Sequence, residues 1–398
     1  MRVLVINKFL YPKGGAETYT LSLGKMLEKH GHEVQYFGLR NEKNTVGNEV
    51  NALVEDMDFS TGIKNNLNAP FRIIYNFQAK KQIRKVLEKF KPDIVHLNNI
   101  QYHLTPSIII EVNKWRKKEG KDCKIIYTAH DYQLVCPSHG LFDVDLKPCE
   151  KCLDGKYIHC FNTKCLKNSR AKSLLGTLDG YFWKYSSAYS YVDKIICCSE
   201  FLKDKLDTQE RFKNKTVALH NYKDINPINN IVKKDYILEF GKLSKDKGTD
   251  TLIEVAKRMP EQKFVFAGYG PSIEKMEGVP NIEYVGFKGG EELYKLIAEA
   301  KLSVCPSEMY ENCPFSVIES VSLGTPVVGA KMGGIPELIE EGKTGELFEA
   351  GNVEKLEDAI RKIIKTSRIT EEYIKSCFGA KYETSETYYK KLMEIYRG

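Results

Sequence analysis

The sequence predicts an α/β protein of two domains, each built on a parallel sheet. Three observations predict it. Apolar, β-rich runs alternate with helical periodicities, which implies parallel strands joined by crossover helices and covered on both faces. An aperiodic, Asn-rich stretch near residues 220–235 interrupts that alternation once. At 398 residues, with 42 % hydrophobic and 28 % charged content, the chain has the length and the ordinary globular balance for two cores.

Residues 2–7 form the first apolar run. The turn Gly14-Gly15 follows it, then helical spacing from about Glu17 to His30, stopped by Gly31. Further strands are expected at 33–39, 93–97, 124–129, 194–198 and 216–219, and one long helix at 71–90 ending before Pro92. The second half restarts with strands at 236–240, 263–267, 282–285, 302–305 and 326–329. Its helices are expected at 249–258, 291–300, 315–323, 335–340 and 353–365, and a helical tail at 373–396. The resulting division is a first domain at 1–220, a linker at 221–235 and a second domain at 236–375, with the helix at 376–398 packing back on the first. In open parallel sheets, ligands bind at the carboxyl ends of the strands. Two facing Rossmann-like domains would line one deep cleft with those ends.

Charge is uneven. The first 200 residues hold 30 Lys and Arg against 21 Asp and Glu, the remainder 30 against 32. A basic first domain suits an anionic surface or substrate. Stretches 75–91 and 114–124 interleave Lys and Arg with Tyr, Phe and Trp, which suits an anionic membrane interface. No nucleic-acid motif accompanies the charge, so nucleic acid is not an expected partner. The start of the chain reads as a strand, not a secretory signal, and no apolar run approaches bilayer length. A cytoplasmic protein, at most peripheral on the inner face of the plasma membrane, is expected. Its eleven cysteines then read as thiols or metal ligands. Cys149-x-x-Cys152 has metal-ligand spacing. With Cys160 and Cys165 it makes a candidate structural zinc site, the alternative being free thiols.

The densest chemical signal is Glu311-Asn-Cys-Pro-Phe-Ser-Val-Ile-Glu319. It follows a buried strand and opens a helix. Pro314 suits the first helical position, and the free N–H groups of the first turn make an anion or sugar-hydroxyl site. Glu319 shares a helix face with Phe315 and Ser316, so two carboxylates stand at different depths. Gly241-Lys-Leu-Ser-Lys-Asp-Lys-Gly248 puts Lys242 and Lys247 at a strand's carboxyl end, where two cations suit a diphosphate. Gly14-Gly15 permits close backbone approach to a phosphate. His130 ends the strand at 124–129, and His96 also ends a strand.

Two acids separated by seven residues resemble the signature of family 4 of the retaining glycosyltransferases, whose fold is termed GT-B. Gly324-Thr-Pro-Val-Val-Gly-Ala330, Gly333-Gly-Ile-Pro-Glu337 and Gly342-Lys-Thr-Gly345 resemble that family's next stretches. The resemblance implies that Glu319 holds the donor's ribose hydroxyls and that Glu311 contacts the transferred sugar. It implies backbone contacts to that sugar around Cys313, Pro314, Phe315 and Ser316; the family often has Gly where this chain has Pro314. Lys242 and Lys247 look like the family's basic pair, usually opened by Arg. Gly14 and Gly15 resemble its first-domain phosphate loop, Gly268 and Phe287 its nucleotide loops, and His130 its contact to the donor sugar.

The function so implied is a retaining hexosyltransferase. It would move a sugar from a nucleoside-diphosphate donor to a saccharide acceptor, lipid-linked, in cell-surface polysaccharide or glycolipid synthesis. Lys242, Lys247 and the helix start would stabilise the leaving diphosphate, with Glu311 and His130 beside the sugar and no cofactor required for catalysis. The alternatives are a nucleotide-sugar epimerase of the same fold and a non-catalytic sugar-nucleotide-binding protein. An NAD-dependent oxidoreductase is disfavoured because no G-x-G-x-x-G follows the first strand.

Overall fold

The computed structural model describes residues 1–56, 69–226, 228, 231–365, 374–377 and 382–398. The chain divides into two compact units. One comprises Met1–Val144, Cys149–His220 and Glu386–Gly398; the other comprises Asn221–Ser385 with Asp145–Pro148. Pro227, Asn229 and Asn230 of the expected linker, and residues 373 and 378–381 of the expected tail helix, lie outside the described residues.

The first unit holds β1 (Arg2–Ile6), α1 (Gly15–Lys29), β2 (Glu33–Phe37), α2 (Ala69–Ile74), α3 (Phe77–Phe90), β3 (Ile94–Leu97), α4 (Ser107–Glu119), β4 (Lys124–Ala129), α5 (Ile158–Asn162), α6 (Arg170–Tyr185), β5 (Lys194–Cys197), α7 (Glu200–Asp207) and β6 (Thr216–Ala218). Its six strands run parallel in the order β2-β1-β3-β4-β5-β6. Val3, Leu4, Val5 and Ile6 are all fully buried. A strand covered on both faces cannot alternate polar with apolar, which is why this run is continuous. Helix α1 buries Tyr19, Leu23, Met26 and Leu27, spaced to make one stripe.

The single helix expected at 71–90 is two, α2 and α3. Asn76 stops the first and caps the second: its side chain accepts the Ala79 N–H at 2.9 Å. Asn is a preferred N-cap, and an N-cap residue has non-helical backbone, here φ −94° and ψ 95°. Apolar spacing runs through that break and hides it.

The second unit holds β7 (Lys234–Lys242), α8 (Thr249–Arg258), β8 (Lys263–Tyr269), β9 (Ile282–Tyr284), α9 (Gly290–Glu299), β10 (Ala300–Cys305), α10 (Phe315–Ser322), β11 (Val327–Ala330), β12 (Gly345–Phe348) and α11 (Val353–Ile364). Its strands are parallel in the order β12-β11-β10-β7-β8-β9. Residues 335–340, expected as a helix, contain only the 3₁₀ turn Ile335–Leu338.

The last helix, α12 (Ser385–Arg397), buries Tyr388, Leu392, Met393 and Tyr396. Its tyrosines reach the first sheet. The Tyr388 hydroxyl lies 2.5 Å from that of Tyr19, and the Tyr396 hydroxyl 2.6 Å from Nδ1 of His96. The other ring nitrogen of His96 lies 2.6 Å from the Thr128 hydroxyl. Both nitrogens are engaged within the core, and burial lowers the His96 pKa to about 3. His96 is a neutral structural residue. Among the described residues, no helix is long and apolar enough to cross a membrane.

Candidate active site

The acids and lysines singled out by sequence gather beyond the carboxyl ends of β7 and β10 in the second unit. Strand β7 ends at Lys242, and the 3₁₀ turn Lys245–Lys247 follows. Gly248 closes that turn at φ 76°, and a Cβ there would stand 1.9 Å from the Pro306 carbonyl oxygen. Only glycine lets the turn pack so closely on the segment after β10. Lys247 is thereby brought to Glu311, with which it forms an ion pair. Burial opposes the Lys247 charge, yet the Glu311 carboxylate, with Cys305 and Asp246, holds its pKa above the usual value.

Glu311 is fixed through its backbone. Its carbonyl accepts the Gly334 N–H at 2.7 Å. Gly333 sits at φ 63°, where a Cβ would come within 2.0 Å of that carbonyl oxygen. Lys242 turns to Asp246 at 2.9 Å. Burial opposes ionisation of Asp246, but Ser244, Lys242 and Lys247 outweigh it and hold the carboxyl below its ordinary range.

Glu319, on α10, is 6 % exposed. Its partner is Lys223, whose ammonium forms an ion pair with Oε1. Burial raises the Glu319 pKa and Lys223 opposes the rise. The Lys223 ammonium also lies 5.4 Å from the centre of the Phe315 ring and 5.6 Å from that of Tyr294. Each glutamate of the motif therefore carries its own lysine.

Pro314 occupies the N-cap of α10, not its first helical position. Its ψ of 123° is extended, and no side chain caps the helix. The loop before it is held from the far side, where Asn221 Nδ2 donates to the Cys313 carbonyl at 3.2 Å and the Asn221 N–H reaches the Cys313 sulfur at 3.3 Å. Burial pushes the Cys313 thiol up to about 12, so it packs as a neutral group. The Ser316 hydroxyl lies 3.9 Å from the Cys305 sulfur.

Aromatic surface stands at the neighbouring strand ends. Tyr269 is 59 % and Phe287 71 % exposed, with ring centres 6.3 Å apart. Gly268, next to Tyr269 and at φ 155°, passes so close to β7 that a Cβ would meet the Gly241 oxygen at 1.9 Å. The arrangement offers flat apolar surface beside a cluster of cations, carboxylates and a helix start, a combination suited to a nucleotide.

In the first unit, Gly14 is the N-cap of α1 in extended backbone, and Gly15 opens the helix; both are exposed. His130 follows β4. Its Nε2 lies 3.0 Å from the Asn98 amide oxygen and its ring meets Tyr19 edge-on at 4.7 Å. Burial lowers its pKa to about 3, so it is a neutral imidazole.

Cys149, Cys160 and Cys165 all lie near enough to Cys152 to act on its ionisation. No group of three or more His, Cys, Asp or Glu side chains able to hold a metal ion occurs among the described residues. Cys160 and Cys165 approach to 2.7 Å, while Cys152 and Cys160 pack with Tyr157 in a small apolar cluster. Cys149 is not part of that cluster.

Sequence reasoning missed Lys223, Asp246 and Tyr269 as site residues. Asp246 lies inside the segment 241–248, and Tyr269 follows Gly268 directly. Lys223 comes from an aperiodic stretch and has no local pattern to mark it.

Two tandem six-stranded parallel sheets, with this constellation on the second, define a glycosyltransferase. Residues 13–225 match the family model Glycosyltransferase Family 4, and residues 221–376 match Glycosyl transferases group 1. The chain belongs to glycosyltransferase family 4. It is similar to an uncharacterized 42.6 kDa protein of the cps region of Klebsiella pneumoniae, 23 % identical over 404 residues, covering 94 % of this chain and 99 % of that one. Sulfoquinovosyl transferase SQD2 of Arabidopsis thaliana is 36 % identical over 138 residues, covering 33 % of this chain and 27 % of that protein. Among solved structures, Anabaena HepE in complex with UDP shares the fold at a TM-score of 0.69, with 16 % identity and 99 % of each chain covered. That likeness extends to the GT-B architecture of the two sheets.

Proposed function

We propose that this glycosyltransferase is a retaining hexosyltransferase that takes its sugar from a nucleoside diphosphate. The acceptor we assign is a lipid-linked saccharide of a cell-surface polysaccharide, handled at the cytoplasmic face of the membrane. The observation that carries the reading is the pairing of Lys247 with Glu311 and of Lys223 with Glu319 around the uncapped start of α10. The cps-region relative and a putative colanic acid biosynthesis glycosyltransferase of Salmonella typhimurium, 28 % identical over 156 residues, favour the polysaccharide setting. The Anabaena protein's UDP favours a nucleotide donor.

In this reading the donor exchanges partners with the site. Diphosphate oxygens take Lys242 and Lys247, and the α10 N–H groups add to the clamp. Glu311 then accepts from a sugar hydroxyl and Glu319 from the ribose. We assign Gly14 and Gly15 a backbone contact to phosphate and His130 a hydrogen bond to the sugar. Its low pKa suits it to that neutral role and not to proton abstraction. The departing diphosphate takes the acceptor's proton on the same face of the sugar, while the lysines stabilise its growing charge.

The test is a panel of UDP-, GDP- and ADP-sugars screened for thermal stabilisation, followed by incubation of the stabilising donor with saccharide acceptors. Transfer with the donor's anomeric configuration, read from the NMR coupling of the new linkage, supports the proposal. Inversion removes the retaining assignment. Conversion of the donor to its epimer without an acceptor identifies an epimerase, and binding without turnover a non-catalytic protein.

A further inference from the structure

Helix α6 carries its apolar residues on the wrong side for a helix that only packs. Its inward face is Ser173, Gly176, Thr177, Asp179 and Trp183. Its outward face is Leu174, Leu178, Phe182 and Tyr185, at 44, 51, 46 and 79 % exposure. The spacing i, i+4, i+8, i+11 makes one stripe along the helix. Helix α2 packs against α6 and adds Phe71, 76 % exposed; α3 begins with Phe77, 73 % exposed. The half-buried Tyr75 joins the two sides. Its ring centre lies 4.7 Å from that of Phe77 and 6.4 Å, edge-on, from that of Phe182. This is one contiguous apolar surface, unlike the single exposed hydrophobics scattered over any protein.

Its charge is one-sided. From Lys164 to Tyr185 the sequence has Lys164, Lys167, Arg170, Lys172 and Lys184, and its one carboxylate, Asp179, is buried. On α3 the residues following Phe77 on its face are Lys81, Arg84 and Lys85. Self-association through this surface would set cations against cations. Arg84 is paired with Glu111, but aromatic and aliphatic side chains ringed by the remaining cations match the headgroup boundary of an anionic bilayer.

We propose that the α6 stripe, with Phe71 and Phe77, is a docking surface for an anionic lipid bilayer. Leu178, Phe182 and Phe77 enter the headgroup–acyl boundary, and Lys167, Arg170 and Lys81 meet lipid phosphates. The surface differs from the two basic stretches read in the sequence. In 114–124 the aromatic residue Trp115 is 4 % exposed and belongs to the core, while of 75–91 the face from Tyr75 and Phe77 to Lys85 takes part and Phe90 is buried.

The test is sedimentation of the full chain with phosphatidylglycerol-rich vesicles and with pure phosphatidylcholine vesicles, at low and high salt. The expected result is binding to the anionic vesicles, weakened by salt and weaker on phosphatidylcholine by about tenfold or more. Leu178→Glu/Phe182→Glu and Lys167→Glu/Arg170→Glu should each abolish it while leaving the thermal midpoint and nucleotide binding unchanged, since every altered side chain is exposed. Equal partition onto both vesicle types, no binding to either, or retention by both double variants overturns the proposal. So does a doubled mass in light scattering that Leu178→Glu/Phe182→Glu reverses, which would make the stripe a contact between copies. Nucleotide titrations on the same samples keep this outcome separate from the donor assignment.

Discussion

Replacing Lys223 with Met removes the charge that is paired with Glu319. The Glu319 side chain is 8 % exposed and that of Lys223 25 %, so water replaces the lost partner poorly. Removing one member of a buried pair strands the other and costs several kcal/mol when the survivor stays ionised. A carboxylate escapes that cost by taking a proton. Burial already raises the Glu319 pKa with Lys223 opposing, so the variant's pKa must rise further. A neutral carboxyl accepts hydroxyl hydrogen bonds about half as strongly as a carboxylate, a loss of about 1.4 kcal/mol, or roughly tenfold in affinity. The direction with pH follows. Protonation of Glu319 is favoured as pH falls, so Lys223→Met should bind the stabilising nucleotide about tenfold more weakly near pH 6. It should recover toward wild type as pH rises, and Glu319→Gln should be weak at every pH. Isothermal titration across pH 6 to pH 9 (about three units) measures both. Unchanged affinity with a flat profile, or tighter binding because the ammonium had been competing with ribose, would refute the reasoning.

Lys247→Met should lower kcat by about 10²–10³ in a transfer assay, the range for losing one preorganised charge at a leaving group, with Glu311→Gln lowering it too. Gly333→Ala should reduce activity comparably without touching a ligand, because its Cβ would meet the Glu311 carbonyl oxygen at 2.0 Å and φ is 63°; a crystal structure should show Glu311 displaced. Tyr388→Ala should cost about 3–5 kcal/mol of stability in urea unfolding, and Tyr388→Phe about 1 kcal/mol, because the first opens a cavity against Tyr19 and the second deletes one hydroxyl. Stability should fall as pH rises from about 5 to about 8. Burial raises Asp179 and Glu239 from 3.8 and 4.5 to about 8 each, so in that window the folded chain holds protons that the unfolded chain releases. Asp179→Asn and Glu239→Gln should flatten the thermal midpoint against pH.

The elements that sequence located best are those whose burial leaves a local trace. β4 and α8 have the expected bounds because one is an apolar run and the other a clean stripe after Gly248. β12 leaves no strand signal in the sequence. It has four residues, begins with glycine, contains Glu346, and pairs with β11 alone at the sheet's end. α6 leaves no clear helical signal because its outward face is as apolar as its inward one, which blurs the expected contrast. The same logic divides the site. Glu311 and Glu319 were legible through their spacing, and Lys242 and Lys247 through the glycines around them. The Lys223–Glu319 pair was not, because it joins residues 96 positions apart and no periodicity encodes a partner at that distance.

Charge at this edge of the second sheet is balanced side chain for side chain. Lys242 faces Asp246, Lys247 faces Glu311 and Lys223 faces Glu319. A ligand that took only the lysines would leave half-buried carboxylates without partners, and one that took only the carboxylates would strand the ammoniums; either penalty grows as water is excluded. A bare pyrophosphate belongs to the first kind, and a neutral saccharide to the second. A sugar joined through a diphosphate to a ribose brings anionic oxygens for the lysines and hydroxyls for both glutamates in one molecule. Glu311 would then gain a hydroxyl partner as Lys247 turns to the diphosphate, Glu319 would add ribose hydroxyls to Lys223, and Asp246 would remain beside Lys242 and Lys247. With the proposed donor, discrimination against its fragments would follow from the pairing itself, before any pocket shape is considered.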